Sequence, residues 1–128
     1  MKFDRRYFYL LIILSLWISS GCDPFSHSTC KWGRTFSEQL SPDQLFRADV
    51  YGWVCKPDTD KVTMMRVDIV RTNEFGSSET VFSTDGKYTI TTTWLDSRHL
   101  LIQCEGMPPG VENSRKDHWE EVKVSYKC

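Results

Sequence analysis

The chain has 128 residues, 40% hydrophobic and 26% charged, with 16 basic and 17 acidic side chains and a formal net charge of −1 at pH 7. Beyond residue 21 the balance becomes 13 basic against 16 acidic, a net charge of −3 with His neutral. That leaves no basic stripe and excludes nucleic acid as an expected partner. The same 107 residues suffice for one domain and are too few for two.

The chain begins with a basic stretch, Lys2, Arg5 and Arg6, diluted only by Asp4, and Tyr7 to Ile18 then form an apolar run interrupted by Ser15 alone. As a helix these twelve residues would extend only about 18 Å, short of the roughly 30 Å hydrocarbon core, so a membrane span is the weaker reading. The run stops at Ser19-Ser20-Gly21-Cys22, small residues that suit a peptidase site next to a nucleophilic thiol. This resembles the lipobox of bacterial lipoprotein precursors, with Ser19 standing where that pattern usually has Leu. The resemblance implies a diacylglyceryl thioether on Cys22, cleavage before it and usually a further acyl chain, palmitate for instance, on the new amino terminus. Two or three chains meet the requirement for stable anchoring. The competing reading is an ordinary secretory signal cut near Ser20, with Cys22 free to pair in a disulfide. Arg5-Arg6-Tyr7-Phe8 resembles part of a twin-arginine signal, although the strongly apolar run favours the unfolded-chain export route. Asp23 is similar to the residue that retains lipoproteins in the inner membrane of enteric bacteria. The expected location is therefore the cell envelope, lipid-anchored and facing the periplasm or exterior, with the inner membrane favoured. The expected organisation is a signal peptide over 1–21, a lipid-anchored tether over 22–40 and a β-domain over 41–128.

Asp23 to about Ser41 is polar and small in composition, as a tether would be, with a short helical turn expected at Ser37 to Leu40. Ser41-Pro42-Asp43 has turn chemistry. Phe46 to Cys55 alternates, placing Phe46, Ala48, Val50 and Val54 on one side of a strand and Arg47, Asp49, Tyr51 and Trp53 on the other. After a turn at Lys56-Pro57-Asp58-Thr59-Asp60, Val62 to Arg71 reads as a second strand. Asn73 to Ser78 reads as a loop, Thr80 to Ser83 as a short strand, and Thr84-Asp85-Gly86 as a tight turn. Tyr88, Ile90, Thr92 and Trp94 alternate with Thr89, Thr91 and Thr93 in a β-branched strand. Asp96-Ser97 turns the chain, and His99 to Cys104 returns it. Gly106 to Asn113, which contains Pro108-Pro109-Gly110, reads as a surface loop. Trp119 to Tyr126 closes the domain. About six strands without a long helix predict an all-β fold: a small antiparallel β-sandwich or partly open barrel, braced by disulfides.

With Cys22 assigned to lipid, Cys30, Cys55, Cys104 and Cys128 form an even set in an oxidising compartment and predict two disulfides. Three connectivities are open. Cys30 to Cys128 with Cys55 to Cys104 is the preferred pair, because it ties the domain's ends and joins two strand regions. Ser41-Pro42-Asp43, the strand ending at Cys55, Val81-Phe82 and the stretch from Trp94 to Ile102 together resemble small uncharacterised bacterial lipoprotein domains with a Trp-x-Asp…Leu-x-Ile hairpin. The resemblance spans roughly residues 41–103 and implies no activity.

His27, His99 and His118 show no metal-ligand spacing, so no metal and no cofactor beyond the lipid on Cys22 is expected. Asp96-Ser97-Arg98-His99 gathers catalytic residue types, but neighbours on a hairpin point in alternating directions, and no nucleophile elbow or phosphate loop is present. Hydrolase chemistry is therefore the weakest reading, and no catalytic residue is assigned. Tyr51 and Trp53, opposite the apolar side of their strand, are the candidate binding face for a peptide, a glycan or a protein. The leading expectation is a non-enzymatic envelope lipoprotein that binds another envelope protein, like an inhibitor or immunity factor. The alternative is a structural or assembly accessory lipoprotein.

Overall fold

The computed structural model describes residues 30–55 and 61–128. Cys22, Asp23, His27, the signal segment and the expected turn over 56–60 lie outside the described residues. Among the described residues nine strands form: β1 Lys31–Leu40, β2 Phe46–Val54, β3 Met64–Arg71, β4 Ser78–Asp85, β5 Thr89–Asp96, β6 His99–Glu105, β7 Asn113–Arg115, β8 His118–Trp119 and β9 Val122–Lys127. They build two sheets, one ordered β1-β2-β3-β4-β7 and the other β5-β6-β9-β8. The architecture is the all-β sandwich of the two expected alternatives, and it is not closed into a barrel.

Period-2 patterning explains the layers. Phe46, Ala48, Val50 and Val54 of β2, with Met65, Val67 and Ile69 of β3, are buried, while the residues between them on each strand face outward. Ile90, Leu100, Ile102, Val122 and Val124 supply the opposing side of the same core. Gly52 continues the buried side of β2 because a Cβ there would come within 2.6 Å of the Val62 side chain and 3.0 Å of the Phe36 ring. The missing side chain lets both neighbours cover the core at this point.

The expected strand count of six is corrected to nine among the described residues. Lys31–Leu40, read as tether with a helical turn, is instead β1, a full edge strand paired with β2. Two register shifts, between Trp32 and Arg34 and between Thr35 and Ser37, break its alternation. The expected final strand is divided: Glu120 takes φ of 50° and turns β8 onto β9. The antiparallel expectation holds for every pairing except β6 with β9, which is parallel.

The preferred disulfide pairing is also corrected. The bonds are Cys30–Cys55 and Cys104–Cys128, separated by 25 and 24 residues. Register is the cause. Lys31 faces Val54, so Cys30 meets Cys55 one step further; Gln103 faces Lys127 in the parallel pair, so Cys104 meets Cys128. Each bond therefore fastens strands of one sheet and leaves the two sheets uncrosslinked.

Other contacts join the sheets. At β4 the register shift between Val67 and Asp68 of β3 leaves Val81 as an extra residue, buried like its neighbour Phe82. The Val81 carbonyl accepts from the Tyr126 hydroxyl at 2.8 Å and from the Lys116 amide at 2.8 Å, so the bulge keeps its hydrogen bonds. Trp94 Nε1 donates to the Gln39 carbonyl at 2.9 Å, attaching β5 to the edge strand β1.

Candidate functional site

Strand register assembles the outward face of the five-stranded sheet. Trp32 of β1 lies opposite Trp53 of β2, which lies opposite Met64 of β3. In the next row Thr35, Tyr51 and Arg66 are neighbours, and in the third Glu38, Asp49 and Asp68. Directly paired residues share a face, so an aromatic end passes into an acidic middle along the same strands.

Tyr51 and Trp53, expected to share the side opposite the apolar residues of β2, do so, with ring centroids 6.2 Å apart. Both are half-buried. The Arg66 guanidinium covers them, 5.9 Å from the Tyr51 ring centre and 5.5 Å from that of Trp53. It is fixed by a hydrogen bond from Nη2 to Thr80 Oγ1. Trp32 completes the row and is 60% exposed, the most solvent-accessible ring on this face. Sequence pattern does not mark it, because two register shifts break the alternation of β1.

Below the rings, two carboxylates face each other across the β2–β3 ladder, an arrangement that repels unless each finds a partner. Asp49 accepts from Arg47 Nε at 2.6 Å and Nη2 at 2.7 Å. Asp68 accepts the Tyr51 hydroxyl on Oδ2. Burial, then the hydrogen bond and charge of Asp68, push the Tyr51 hydroxyl well above the usual phenol range, so it stays a donor. Two buried polar atoms on this face have no partner: Trp53 Nε1, a donor, and Asp68 Oδ1, an acceptor. The face combines partly exposed rings with a fixed cation, which suits recognition of another surface.

The two histidines among the described residues do not converge. His99 and His118 both lie opposite Lys123 of β9, one on each side, in the other sheet. Two strand spacings place them about 10 Å apart, too far to share a metal ion. No group of three metal-ligand side chains forms among the described residues. His99 Nε2 lies 2.7 Å from Ser125 Oγ on that sheet's outward face. The nearest carboxylate in register, Asp96, uses Oδ1 to accept the Arg98 amide at 2.7 Å, which is the turn chemistry expected of Asp96-Ser97. A nucleophile and base are therefore adjacent, on an open strand surface.

No protein-family model, curated protein or solved structure matches the chain. Its functional reading rests on the chemistry of its own surfaces.

Proposed function

We propose that the chain is a lipid-anchored lipoprotein of the cell envelope whose β-sandwich binds another protein without turnover, in the manner of an inhibitor or immunity factor. The observation that carries this reading is the pair Tyr51 and Trp53, with Arg66 over both rings, and the exposed Trp32 opposite Trp53 on an outward sheet face. Trp, Tyr and Arg are the residues that dominate protein interfaces when they cluster at the centre of a patch. A paired carboxylate row beside them supplies orientation, because misplaced charge in a partner would be left unpaired.

Anchoring follows from the lipobox resemblance at Cys22. Cys22→Ser should release the folded domain from membranes, checked by fractionation after a high-salt wash; retention on the membrane would remove lipid as the anchor. Binding is tested by affinity capture from the producer's envelope extract with a soluble form beginning at Asp23. Trp32→Ala and Trp53→Ala serve as parallel baits. Trp32 is exposed, so its truncation leaves the core intact. One partner captured by the parent and lost with Trp32→Ala is the expected result. No partner with any bait would transfer the assignment to a structural or assembly accessory lipoprotein.

A further inference from the structure

A second surface lies at one end of the sandwich. The turns β1–β2, β3–β4, β5–β6 and β8–β9 gather there, and hydrogen bonds and ion pairs hold them together. Gln44 N donates to the Ser41 carbonyl at 2.8 Å, Thr72 N to the Leu45 carbonyl at 3.0 Å, and Thr72 Oγ1 to the Gln44 carbonyl at 2.6 Å. Arg98 crosses from the four-stranded sheet to Asp43 at 2.6 Å. Arg71 crosses the other way to Glu120 and Glu121.

Three features distinguish this end. Of the large hydrophobic residues exposed among those described, Leu40, Leu45, Phe75 and Leu95 lie here, and Phe75 at the β3–β4 tip has its side chain wholly in solvent. Both non-glycine residues with positive φ among those described, Gln44 at 61° and Glu120 at 50°, also lie here. Backbone strain of this kind persists where surrounding contacts enforce it, and it gathers at functional surfaces. Carboxylates exceed cations here: Asp43, Glu74, Asp96, Glu120 and Glu121 stand against Arg71, Arg98, Arg47 opposite Leu40, and Lys123, whose amide donates to the Arg98 carbonyl.

We infer that this loop end is a docking surface for a protein that presents an apolar recess rimmed by Lys and Arg. The exposed Leu and Phe side chains enter the recess, and the acidic excess pairs with its rim. Preformed turns limit the ordering cost of association. Position favours the same reading: Cys30, through which the preceding chain joins the domain, is at the opposite end of β1. Ten strand residues separate the two ends, roughly 30 Å. The loop end therefore faces away from the point of attachment. An acidic rim also disfavours an anionic lipid surface as its occupant. The inference goes beyond the aromatic sheet face and does not depend on it.

The test is site-specific photocrosslinking with the full chain in the producer's own envelope membranes, with p-benzoylphenylalanine replacing Phe75 or, separately, Leu95. Thr91, on the outward side of the other sheet, is the negative position, and Trp53 reports the aromatic face. The expected result is a discrete protein adduct from positions 75 and 95 and none from 91. Its yield should fall several-fold in high salt and with Glu74→Lys, and its crosslinked segment should carry Lys or Arg beside apolar residues. An adduct from position 53 alone would overturn this inference while supporting the aromatic-face reading. Adducts from none of these positions would overturn both. A lipid adduct at 75, or a protein adduct indifferent to salt and to Glu74→Lys, would overturn the charge-matched partner.

Discussion

Tyr126 shows how one side chain can hold two sheets together. Its hydroxyl donates to the Val81 carbonyl at 2.8 Å, lies 2.7 Å from the Lys116 carbonyl and accepts the Lys116 amide at 3.2 Å. Tyr126→Phe should cost about 1–3 kcal/mol, because the buried bulge carbonyl at Val81 loses a donor. Urea unfolding would measure the loss. Burial pushes this hydroxyl up to about 12 from its ordinary 10.0. The folded state therefore holds the proton more tightly than the unfolded chain. The associated stability is complete below pH 10 and is lost as pH rises through about 12, and the phenylalanine variant should lack that alkaline slope. Thr92 is the opposite case: it is 1% exposed, faces the core, and its hydroxyl has no partner. Thr92→Val should raise stability by about 1 kcal/mol by removing an unpaired polar atom of similar shape, read as a higher urea midpoint with unchanged slope. Neither role was legible in the sequence. Alternation puts Thr92 on the same side of β5 as Ile90, but which hydroxyls find partners is decided by elements distant along the chain.

At the scale of elements, what could be read depended on whether a strand keeps its period. β2 keeps it without interruption, and its two faces were foreseen residue by residue, Tyr51 and Trp53 included. The turn at Ser41-Pro42-Asp43 was equally legible because its chemistry is local: Ser41 Oγ donates to Asp43 Oδ1 at 2.7 Å and accepts the Phe46 amide at 3.1 Å. β1 was not legible. Two bulges interrupt its pattern, and with them Trp32, the exposed ring of the candidate site, was left out. Gly52 tests how closely this edge is fitted. Gly52→Ala should destabilise the fold by about 1–3 kcal/mol, since its Cβ would meet Val62 at 2.6 Å and the Phe36 ring at 3.0 Å. Thermal unfolding would detect the loss. The variant should still unfold in one transition, because the substitution strains the covering of the core without removing a strand.

For the whole molecule, cohesion between the sheets rests on the core, on Tyr126 and Trp94, and on the ion pairs at the loop end, since each disulfide stays within one sheet. Each bond closes a loop of about 25 residues, worth about 3.5 kcal/mol through the unfolded chain. Reduction should therefore lower the unfolding temperature without first separating the layers. Acid should act on the loop end. Hydrogen bonds from Ser41, then those from Arg98 and the Leu45 amide with the Arg98 charge, hold Asp43 at about 2, below its ordinary 3.8. Glu121 is lowered too, first by its own backbone amide and then by Arg71 and Arg98. Both carboxylates contribute stability above their unfolded pKa values, and that of Asp43 is lost as pH falls from about 4 through about 2. Asp43→Asn should flatten this slope in denaturant titrations across that window. If the slope were unchanged, Asp43 would not be the group that senses acid. Cysteine parity had predicted two bonds, but their partners depend on strand register, which counting cannot supply.

The parallel placement of β9 sets an order in time. Residues 122–127 form an interior strand, lying between β6 and β8, so the four-stranded sheet lacks its middle until they arrive. On the export route proposed above, the chain delivers β1 to β4 early and can close Cys30–Cys55 as soon as both cysteines emerge. The second half has to wait. Until β9 docks, one edge of β6 has no partner and Val122 and Val124 are missing from the core, which makes residues 122–127 those that decide between folding and loss to aggregation or proteolysis.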